Sequence, residues 1–409
     1  MSQRSGDLPQ LRICILADSF YPIVGGGETH ARLLSAELIR RDVAVLVLTR
    51  RRLRKFAVRE VIDGVEVVRV LPYGFQRFGK YLMIVPAILR LLAMRDQYDI
   101  IYVCGLRVLG AIGVLAARFL GKKTILRAES CGEMSGDFVY ASLDRKTSKV
   151  ISKVIDSIIS IRNRVLRSAD CFLAISNVIR EELKGSGVDE NVIVSIPNGI
   201  DTTKYCPVEK EEKNRLRRTL RIPEKTVFVY TGKLNKGKGL ELLLKVWARV
   251  VGRCDRVHLY LVGSGEYQAL GCEKELRRYV SEHRLETHVT FTGYVENVHE
   301  YLQAADYFLL PSESEAHPLS LIEAMSCGLP TISTAVGGML DIVEDGVNGR
   351  LVRLGDDKAL EDGILEFIGQ PEAFKQLGIK ARASVVERYG IGKIAHDHIG
   401  LFNRLCFPT

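Results

Sequence analysis

Short apolar runs, rich in β-branched residues, alternate with longer amphipathic stretches along the first half of the chain. The runs have the length and composition of buried strands, and the stretches between them have a helical period. The runs occupy residues 11–17, 43–48, 65–70, 100–103, 124–126 and 171–175. This alternation predicts a parallel sheet covered by helices.

The same alternation starts again after Asn198. Strand candidates are residues 226–230, 257–262, 289–292, 307–310 and 331–333, and helix candidates are residues 240–251, 267–283 and 319–327. We therefore predict an α/β protein of two Rossmann-like, doubly wound parallel-sheet domains, divided near residues 196–201. The predicted domains are residues 1–198 and 199–385. A last helix, residues 386–409, is expected to return towards the first domain, within a strandless stretch at 371–407.

The composition bounds the class of protein. Of the 409 residues, 47% are apolar and 26% are charged, an ordinary globular balance that supports two cores. Nine cysteines without a C-x-x-C pair disfavour a disulfide framework and a zinc site, and they predict a reducing cytoplasm. The first ten residues are polar, and the longest nearly charge-free apolar run, 81–89, is far shorter than the roughly 20 residues of a spanning helix. We expect a soluble or peripheral protein.

The charge is divided unevenly between the two halves. Residues 1–198 hold 30 lysines and arginines against 20 aspartates and glutamates, whereas residues 199–409 hold 28 against 29. The first half therefore carries a balance of +10 within the net +9 of the chain. An anionic membrane surface, a phosphorylated substrate or nucleic acid would suit it, and a solubilising surface is the equal alternative.

Three glycines follow the first strand and run into a helix. They are Gly25, Gly26 and Gly27, and the helix is predicted from about Glu28 to Arg40. N–H groups at a helix start attract anions, and glycine lets a diphosphate approach closely. A flexible turn is the alternative. The sequence contains neither G-x-G-x-x-G nor a Walker sequence, which disfavours a dehydrogenase and a nucleoside triphosphatase.

The segment PSESEAHPLSLIEAMSCGLP carries two glutamates eight residues apart, Glu315 and Glu323, across a loop and the start of a helix. Pro318 suits the first helical position, so neighbouring N–H groups would point out of the helix start towards a phosphate. Those neighbours are His317, Leu319 and Ser320. Each carboxylate could accept two hydrogen bonds from vicinal sugar hydroxyls. Two solvated glutamates are the alternative.

Two lysines stand in the segment TGKLNKGKGLELLLKVW, which follows a strand and opens a helix. Lys233 and Lys238 can point at the crevice outside the carboxyl ends of the strands, where such sheets bind ligands. Cations there would stabilise the charge that develops on a departing diphosphate. Lys236 is expected to be only solvated.

Together these segments resemble glycosyltransferase family 4. The resemblance covers nearly the whole chain and rests on GGGETH, SIPNGID, GKLNKGKG, LVGSGE, VTFTGYV and the E-x7-E segment with EAMSCGLP. It implies the GT-B fold, in which an acceptor-side domain and a nucleotide-sugar-binding domain, both Rossmann-like, face each other across a cleft. It also implies transfer of a sugar from a nucleotide donor with retention of anomeric configuration.

The resemblance implies which residues contact the donor diphosphate. Gly25 and Gly26 would do so from the N-terminal domain, and Lys238 matches the family's lysine on the diphosphate. Lys233 stands where the family usually has arginine, which keeps the charge and loses the bidentate fork.

The resemblance also implies the contacts with the sugar and the nucleoside. Glu315 would hold the hydroxyls of the transferred sugar and Glu323 those of the ribose, while Val295 and its neighbours would meet the edge of the base. The other substrate-binding positions are Asn198, Gly263, His317, Pro318, Leu319 and Ser320.

One segment departs from the family pattern. Many members carry a histidine after the strand equivalent to 124–126, whereas this chain reads ILRAESCGEMSGD there. Glu129 or Arg127 lies near that place, and Glu129 is the candidate for the acceptor-side catalytic role, with an ordinary loop glutamate as the equal alternative. Family variants with a serine- and glycine-rich loop look similar, so the departure does not indicate an inactive protein.

The expected mechanism is front-face substitution without a covalent intermediate, in which the leaving diphosphate oxygen takes the acceptor proton. Lysines and backbone dipoles would stabilise the leaving charge. The chain contains no D-x-D pair. We therefore expect no metal and no cofactor, since the nucleotide sugar is a substrate.

An amphipathic stretch, residues 145–167, is a candidate membrane contact. Its apolar residues fall within about half a helical turn. They are Val150, Ile151, Val154, Ile155, Ile158, Ile159, Val165 and Leu166, and the basic residues opposite are Lys146, Lys149, Lys153, Arg164 and Arg167. Such a helix could lie in an anionic membrane interface, and packing on the core is the commoner alternative, which Arg162 inside the apolar arc fits poorly. The basic residues of 50–55 form another basic cluster near the presumed acceptor side, for which a solvated loop is the default expectation.

The resulting hypothesis is a GT-B enzyme that moves a hexose-type sugar from a nucleotide diphosphate sugar, with UDP favoured over GDP, to a glycan or lipid-linked acceptor in cell-surface polysaccharide or glycolipid synthesis. It would work in the cytoplasm or peripherally on the inner face of the cytoplasmic membrane. The alternatives are a sugar-nucleotide epimerase, a phosphorylase, and a non-catalytic sugar-nucleotide or nucleic-acid binding module. Aromatic residues are only 7% and do not interleave with the basic clusters, which disfavours nucleic acid.

Overall fold

The computed structural model describes residues 10–74, 78–136, 149–266 and 270–407. The chain forms two compact units. The first is Met1–Gly199 together with Ile391–Thr409, and the second is Ile200–Gly390. Each unit holds a sheet whose strands pair almost entirely in parallel, so the predicted fold class of two parallel-sheet α/β domains is confirmed.

Eight described strands form the sheet of the first unit. They are β1 Arg12–Ala17, β2 Ala44–Arg50, β3 Arg59–Ile62, β4 Val65–Val70, β5 Ile100–Cys104, β6 Lys123–Arg127, β7 Cys171–Ala174 and β8 Ile193–Ser195. Their order across the sheet is β3-β4-β2-β1-β5-β6-β7-β8, and only β3 and β4 pair antiparallel. The central strands are buried on both faces, which explains why they appear in the sequence as continuous apolar runs.

Helices cover both faces of this sheet. They are α1 Gly26–Arg40, α2 Gly79–Leu82, α3 Ile84–Ala93, α4 Leu109–Leu120, α5 Lys149–Leu166 and α6 Asn177–Gly185. Leu34 of α1 packs in one core with Ile15 and Tyr102, whereas Gly113 of α4 lies against Val103 on the opposite face, because side chains alternate along a strand. On that second face, α4 packs between α3 and α5.

Six described strands form the sheet of the second unit, and all pair in parallel. They are β9 Thr226–Thr231, β10 Val257–Val262, β11 Val289–Gly293, β12 Tyr307–Leu310, β13 Thr331–Thr334 and β14 Arg350–Val352, in the order β11-β10-β9-β12-β13-β14. The helices are α7 Lys210–Thr219, α8 Leu240–Arg253, α9 Glu273–Glu282, α10 Val298–Ala304, α11 Leu319–Ser326, α12 Met339–Ile342, α13 Asp357–Gly369 and α14 Pro371–Tyr389.

A final helix, α15 Ile391–Cys406, belongs to the first unit. It packs beside α1, and its side chains Ile394, Leu401 and Phe402 are part of the first unit's core. The strandless stretch at 371–407 is therefore divided between the two units at Gly390.

Several elements differ from the sequence prediction. β3, β8 and β14 were not predicted, because they are three or four residues long and partly exposed, so they lack a continuous apolar run. α1 starts at Gly26, two residues before the predicted start. α9 starts only at Glu273, and Tyr267, the predicted start of that helix, lies outside the described residues.

The basic segment at 50–55 was expected to be a solvated loop, but part of it is buried or bound to the backbone. Arg50 is buried, with 2% of its surface exposed, and its guanidinium lies 3.2 Å from the carboxylate of Asp18. Arg51 donates to the carbonyl oxygens of Phe56 and Arg54 at 2.7 Å and 2.6 Å, which fixes the turn. That expectation is therefore wrong for these two arginines, because a buried or backbone-bound guanidinium is part of the fold.

Helix α5 packs against the loop that follows β6 along one edge. A Cβ on Gly136 would lie 2.4 Å from Ile159, and Arg162 donates to the carbonyl oxygens of Glu133 and Met134 at 2.8 Å and 3.1 Å. This contact explains the arginine within the apolar arc. Lys146 lies outside the described residues, as do the side chains of Lys149, Val150 and Ile151. Among the helices of the described segments, none combines the length and apolarity needed to cross a membrane.

His398 of α15 is buried in the first unit, with 1% of its surface exposed. Its Nδ1 lies 2.7 Å from the carbonyl oxygen of Ile394, so Nδ1 donates there and Nε2 accepts from the Tyr102 hydroxyl at 3.2 Å. Burial lowers the pKa of His398 to about 4, so the folded protein keeps this imidazole neutral.

We expect this histidine to make the first unit sensitive to acid. An unfolded histidine has a pKa near 6.5, so between about pH 6.5 and about pH 4 the unfolded chain binds a proton that the folded chain does not. The contribution to the free energy of unfolding is full above that window and falls by roughly 3 kcal/mol as the pH falls through it. Denaturant unfolding of the wild type and of His398→Gln across this range is the measurement. An unchanged pH slope in the variant would refute the prediction.

Candidate functional site

Glycines follow or end three neighbouring strands of the second sheet, β9, β10 and β11. The N–H of Gly263 donates to the carbonyl oxygen of Gly293 at 3.2 Å. A Cβ on Gly263, whose φ is +139°, would lie 1.9 Å from the carbonyl oxygen of Gly232. Only a residue without a side chain permits this approach, so the carboxyl edge of the sheet is closely packed backbone here. The substrate contact expected at Gly263 stays a prediction.

The loop between β9 and α8 is held against the end of β12. Gly239, with φ +67°, precedes α8, and a Cβ there would lie 1.8 Å from the carbonyl oxygen of Pro311. The N–H of Glu313 donates to the carbonyl oxygen of Gly237 at 2.9 Å. Two segments that are far apart in sequence thus run side by side, and Lys238 faces the loop that carries Glu315.

Lys238 and Glu315 form an ion pair at this junction. The Nζ atom of Lys238 lies 2.7 Å from Oε1 of Glu315, and the two side chains are 29% and 13% exposed. The carbonyl oxygen of Glu315 accepts the N–H of Gly338 at 2.9 Å, which fixes the backbone beneath the carboxylate. A fixed carboxylate beside an ammonium can accept hydroxyl hydrogen bonds on one side and leave positive charge for an anion on the other.

Helix α11 begins directly after this loop, at Leu319. Pro318 is the N-cap, with φ −73° and ψ 117°, so the prediction that it takes the first helical position is wrong: its extended ψ lies outside the helix. The N–H groups of Leu319 and Ser320 belong to the first turn, where helices leave such donors open. His317 is buried and packs edge-on against Tyr389, with ring centroids 5.2 Å apart.

Glu323 lies in α11 and is 9% exposed. Burial raises the pKa of this carboxyl to about 7, and a hydrogen bond with Tyr205 opposes the rise. Sequence reasoning missed Tyr205, because a lone tyrosine far from both glutamates gives no local signal. The carboxyl is therefore poised to change its charge near neutral pH.

The other predicted positions of the second unit are spread along the strand ends. Lys233 is exposed, and its carbonyl oxygen accepts the hydroxyl hydrogen of Tyr230 at 2.9 Å. Val295 is half-buried against the core after β11. The structure brings Lys238 and Glu315 into contact, and the roles of Lys233 and Val295 stay predictions.

In the first unit, Gly25 is the N-cap of α1 and Gly26 its first residue. A Cβ on Gly27 would lie 2.9 Å from both carboxylate oxygens of Glu129, so that carboxylate sits over the first turn. Glu28 also belongs to this turn, and the Ser19 hydroxyl donates to it. Negative charge is favourable at a helix start, and the chain itself supplies some of it here. The diphosphate contact expected at Gly25 and Gly26 stays a prediction.

Glu129 contacts Arg127 of the first unit, and Arg127 in turn contacts Asn198. Its Oε1 lies 2.6 Å from a guanidinium nitrogen of Arg127, and the other terminal nitrogen of Arg127 donates to the side-chain oxygen of Asn198. Arg127 is buried, with 2% of its surface exposed. Burial raises the pKa of Glu129, and the charge of Arg127 opposes the rise. A carboxylate with a raised pKa that is held by a fixed partner suits proton transfer.

Glu133 is a buried acid of the same loop that sequence reasoning missed. Its carboxylate accepts the N–H of Leu106 at 2.7 Å and the hydroxyl hydrogen of Ser130 at 3.0 Å. Burial raises its pKa, and these hydrogen bonds oppose the rise. Its carboxylate contacts its own loop and the residues directly after β5, and its carbonyl oxygen accepts from Arg162 of α5, so its role is to hold the loop that carries Glu129. Across the described ranges, no group of three or more histidine, cysteine, aspartate or glutamate side chains is placed to hold a metal ion.

Two family models match the two halves of the chain. The model described as Glycosyltransferase Family 4 matches residues 24–204, and the model described as Glycosyl transferases group 1 matches residues 212–384. The first match includes β2 to β8 of the first unit's sheet, and the second includes all six described strands of the second unit's sheet.

The chain is also similar to curated relatives and to a solved structure. It is 25% identical over 381 residues to N-acetyl-alpha-D-glucosaminyl L-malate synthase of Bacillus anthracis, covering 92% of this chain and 93% of that protein. It is 25% identical over 337 residues to the phosphatidylinositol N-acetylglucosaminyltransferase GPI3 subunit of Saccharomyces cerevisiae, covering 81% and 69%. The crystal structure of Anabaena HepE in complex with UDP and glucose matches with a TM-score of 0.77 at 21% identity, covering 96% of this chain and all of that one. That likeness shows a shared fold.

Proposed function

Since the chain belongs to glycosyltransferase family 4 and is a glycosyltransferase of the GT-B fold, we propose that it transfers a hexose-type sugar from a UDP-sugar to a glycan or lipid-linked acceptor, with retention of anomeric configuration. The acceptor would belong to cell-surface polysaccharide or glycolipid synthesis. The family matches favour transfer over the epimerase, the phosphorylase and the non-catalytic binding module.

The ion pair between Lys238 and Glu315 carries this proposal. It sets an ammonium 2.7 Å from a carboxylate that is only 13% exposed, at the carboxyl edge of a parallel sheet, where such folds bind ligands. A sugar presents vicinal hydroxyls to a carboxylate, and a diphosphate presents negative charge to an ammonium. A nucleotide sugar combines both groups in one molecule.

The proposed chemistry is a front-face substitution at the anomeric carbon. The bond from that carbon to the diphosphate breaks as the acceptor oxygen bonds on the same face, and the leaving oxygen takes the acceptor's proton. Lys238 and the N–H groups at the start of α11 stabilise the departing negative charge. Glu315 holds the sugar hydroxyls and so orients the anomeric carbon.

We assign Glu129 to the acceptor side of this reaction. It replaces the histidine of many family members, and its carboxyl, whose pKa burial raises, suits a hydrogen-bond partner that orients the acceptor hydroxyl while that hydroxyl's proton passes to the leaving oxygen. Arg127 orients it through the 2.6 Å contact. Gly25 and Gly26 at the start of α1 are assigned to the donor diphosphate.

UDP and a lipid or glycan acceptor are proposed from the relatives. HepE was crystallised with UDP and glucose, and the yeast relative is named for transfer to phosphatidylinositol. A peripheral position on the inner face of the cytoplasmic membrane would bring the enzyme to such an acceptor.

The test is a donor screen. The purified chain is incubated with UDP- and GDP-hexoses in the presence of EDTA, and binding and slow hydrolysis of the donor are followed. The anomeric proton coupling of the product then reports the stereochemistry. We expect a UDP-sugar to be used without a divalent cation and its configuration to be kept. Use of GDP-sugars alone, a need for metal, or inversion would each overturn the corresponding part of the proposal.

Glu323 gives the proposed donor site a defined pH dependence. The pKa of its carboxyl is raised to about 7, so it is charged above that pH and neutral below it. Ribose hydroxyls donate more readily to the charged form, so we expect the affinity for UDP-glucose to fall by up to about tenfold per pH unit below about pH 7. Calorimetric titrations of the wild type and Glu323→Gln measure this. The exposed neighbour Glu313 supplies the control, since Glu313→Gln should keep the wild-type profile. A flat profile in the wild type would remove Glu323 from the donor site.

A further inference from the structure

Large apolar side chains are exposed along one edge of α2 and α3, which only Met83 separates. Phe78, Leu82, Val85 and Leu89 are 68%, 51%, 64% and 61% exposed. Their spacing of four, three and four residues places them in one stripe along a helical axis. The opposite side of these helices, with Met83, Ala87 and Leu91, is buried in the unit.

The neighbouring helix α4 continues this apolar surface. Leu115 and Phe119, one turn apart, are 56% and 80% exposed, and α4 packs directly against α3. On the other side of α4, the outward residues of α5 are Val154, Ile158 and Ile161, which are also more than half exposed. Adjacent helices of one face of the first unit therefore present apolar side chains to solvent. We call this surface, formed by α2, α3, α4 and the outer edge of α5, the apolar face.

The charges around the apolar face have one sign over its two central segments. Residues 73–95 and 100–122 contain no aspartate or glutamate, whereas each contains several lysines or arginines. Arg90 and Arg118 are exposed and adjacent in sequence to Leu89 and Phe119. This surface therefore suits a partner that is apolar in its interior and negatively charged at its boundary.

We propose that the first unit docks on an anionic lipid bilayer through the apolar face, with the side chains of α2, α3 and α4 entering the boundary between headgroups and acyl chains. Interfacial binding usually rests on helices that lie parallel to the membrane. Their apolar side chains insert shallowly, and neighbouring arginines reach the headgroups. A second copy of the chain fits less well, because a two-fold contact would bring the arginines of one copy against those of the other. Because α5 uses one edge to pack against its own unit, the docking helices are chiefly α2, α3 and α4.

This proposal deepens the proposed function by naming the partner of the acceptor-side unit, and it is measured without any donor. The full chain is floated with vesicles of phosphatidylcholine alone and with vesicles that also contain phosphatidylglycerol. We expect binding to the second kind only, weakened by salt. In Leu89→Glu with Phe119→Glu, binding should fall by about tenfold or more, since two inserted side chains become charged.

A matched control separates this surface from general effects of a new charge. Ile379 in α14 of the second unit is 54% exposed, so Ile379→Glu adds the same kind of exposed charge elsewhere and should leave flotation unchanged. Arg90→Ala with Arg118→Ala should weaken binding to anionic vesicles. Circular dichroism confirms that each variant is folded.

Flotation that is the same in the double glutamate variant would overturn the proposal, as would a wild type that stays unbound. A wild type that dimerises in sedimentation runs, and a double variant that does not, would identify a second copy as the occupant and also overturn it. Donor hydrolysis is measured on the same samples. Loss of flotation with donor hydrolysis retained supports docking, and absent hydrolysis with flotation retained would count against the proposed function alone.

Discussion

Replacing Glu315 by glutamine is expected to lower sugar transfer by about a hundredfold or more while leaving the fold intact. The substitution keeps the shape of the side chain but removes the charge that pairs with Lys238 at 2.7 Å. The amide also presents an N–H₂ group, so it accepts fewer hydrogen bonds from sugar hydroxyls. Loss of one fixed electrostatic partner in an active site typically costs two to three orders of magnitude in rate. Single-turnover transfer from the donor identified in the screen is the measurement.

The neighbouring glutamate provides the control for this experiment. Glu313 lies in the same loop and is exposed, so Glu313→Gln should transfer sugar at the wild-type rate. Lys238→Ala should resemble Glu315→Gln. The double variant should lose less than the sum of the two losses, because residues that act as one unit are not additive. Full turnover in Glu315→Gln would remove this residue from the site.

Replacing Gly239 by alanine is expected to destabilise the second unit by about 2–5 kcal/mol. The residue has φ +67°, which costs a residue with a Cβ about 1–2 kcal/mol, and the added carbon would lie 1.8 Å from the carbonyl oxygen of Pro311. Either the end of β12 or the start of α8 must move to relieve this overlap. Because Lys238 is the preceding residue, donor binding should weaken as well. Denaturant unfolding and donor titration measure the two effects.

Gly237 offers a nearly ideal comparison in the same loop. Its φ is +84°, but nothing lies within 4 Å of a Cβ built there, so Gly237→Ala should cost only about 1–2 kcal/mol through its backbone conformation. Equal destabilisation by the two substitutions would show that contact with Pro311 is not the cause. The comparison therefore separates close packing from backbone strain at positions two residues apart.

The strands that pass through the middle of each sheet could be predicted because their signal is local. β1, β5, β9 and β10 are buried on both faces, so nearly every residue in them is apolar. β14 pairs only three residues at a sheet edge and is partly exposed, and nothing in its composition distinguishes it from a loop. Edge strands are defined by what they pair with, which a single sequence does not contain.

Some residues of the candidate site could likewise be predicted from the sequence, and others could not. Lys238 and Glu315 stand in segments whose glycines and prolines mark tight turns, so their place at strand ends was predictable, although 77 residues separate them. No local pattern predicts that Tyr205 contacts Glu323, or that Asn198 contacts Arg127. Both contacts join segments that are distant in sequence. Arg162 is a further case, because a charge within an apolar arc is explained only once the carbonyl groups it meets are known.

The return of α15 to the first unit has a consequence for how the protein is made. Ile394, Leu401 and Phe402 help to fill the core beside α1, so a nascent chain that has reached Gly390 has both sheets synthesised but still exposes apolar surface on the first. The unit translated first is thus the one completed last. Its apolar surface stays exposed, and accessible to chaperones, while the second unit is synthesised.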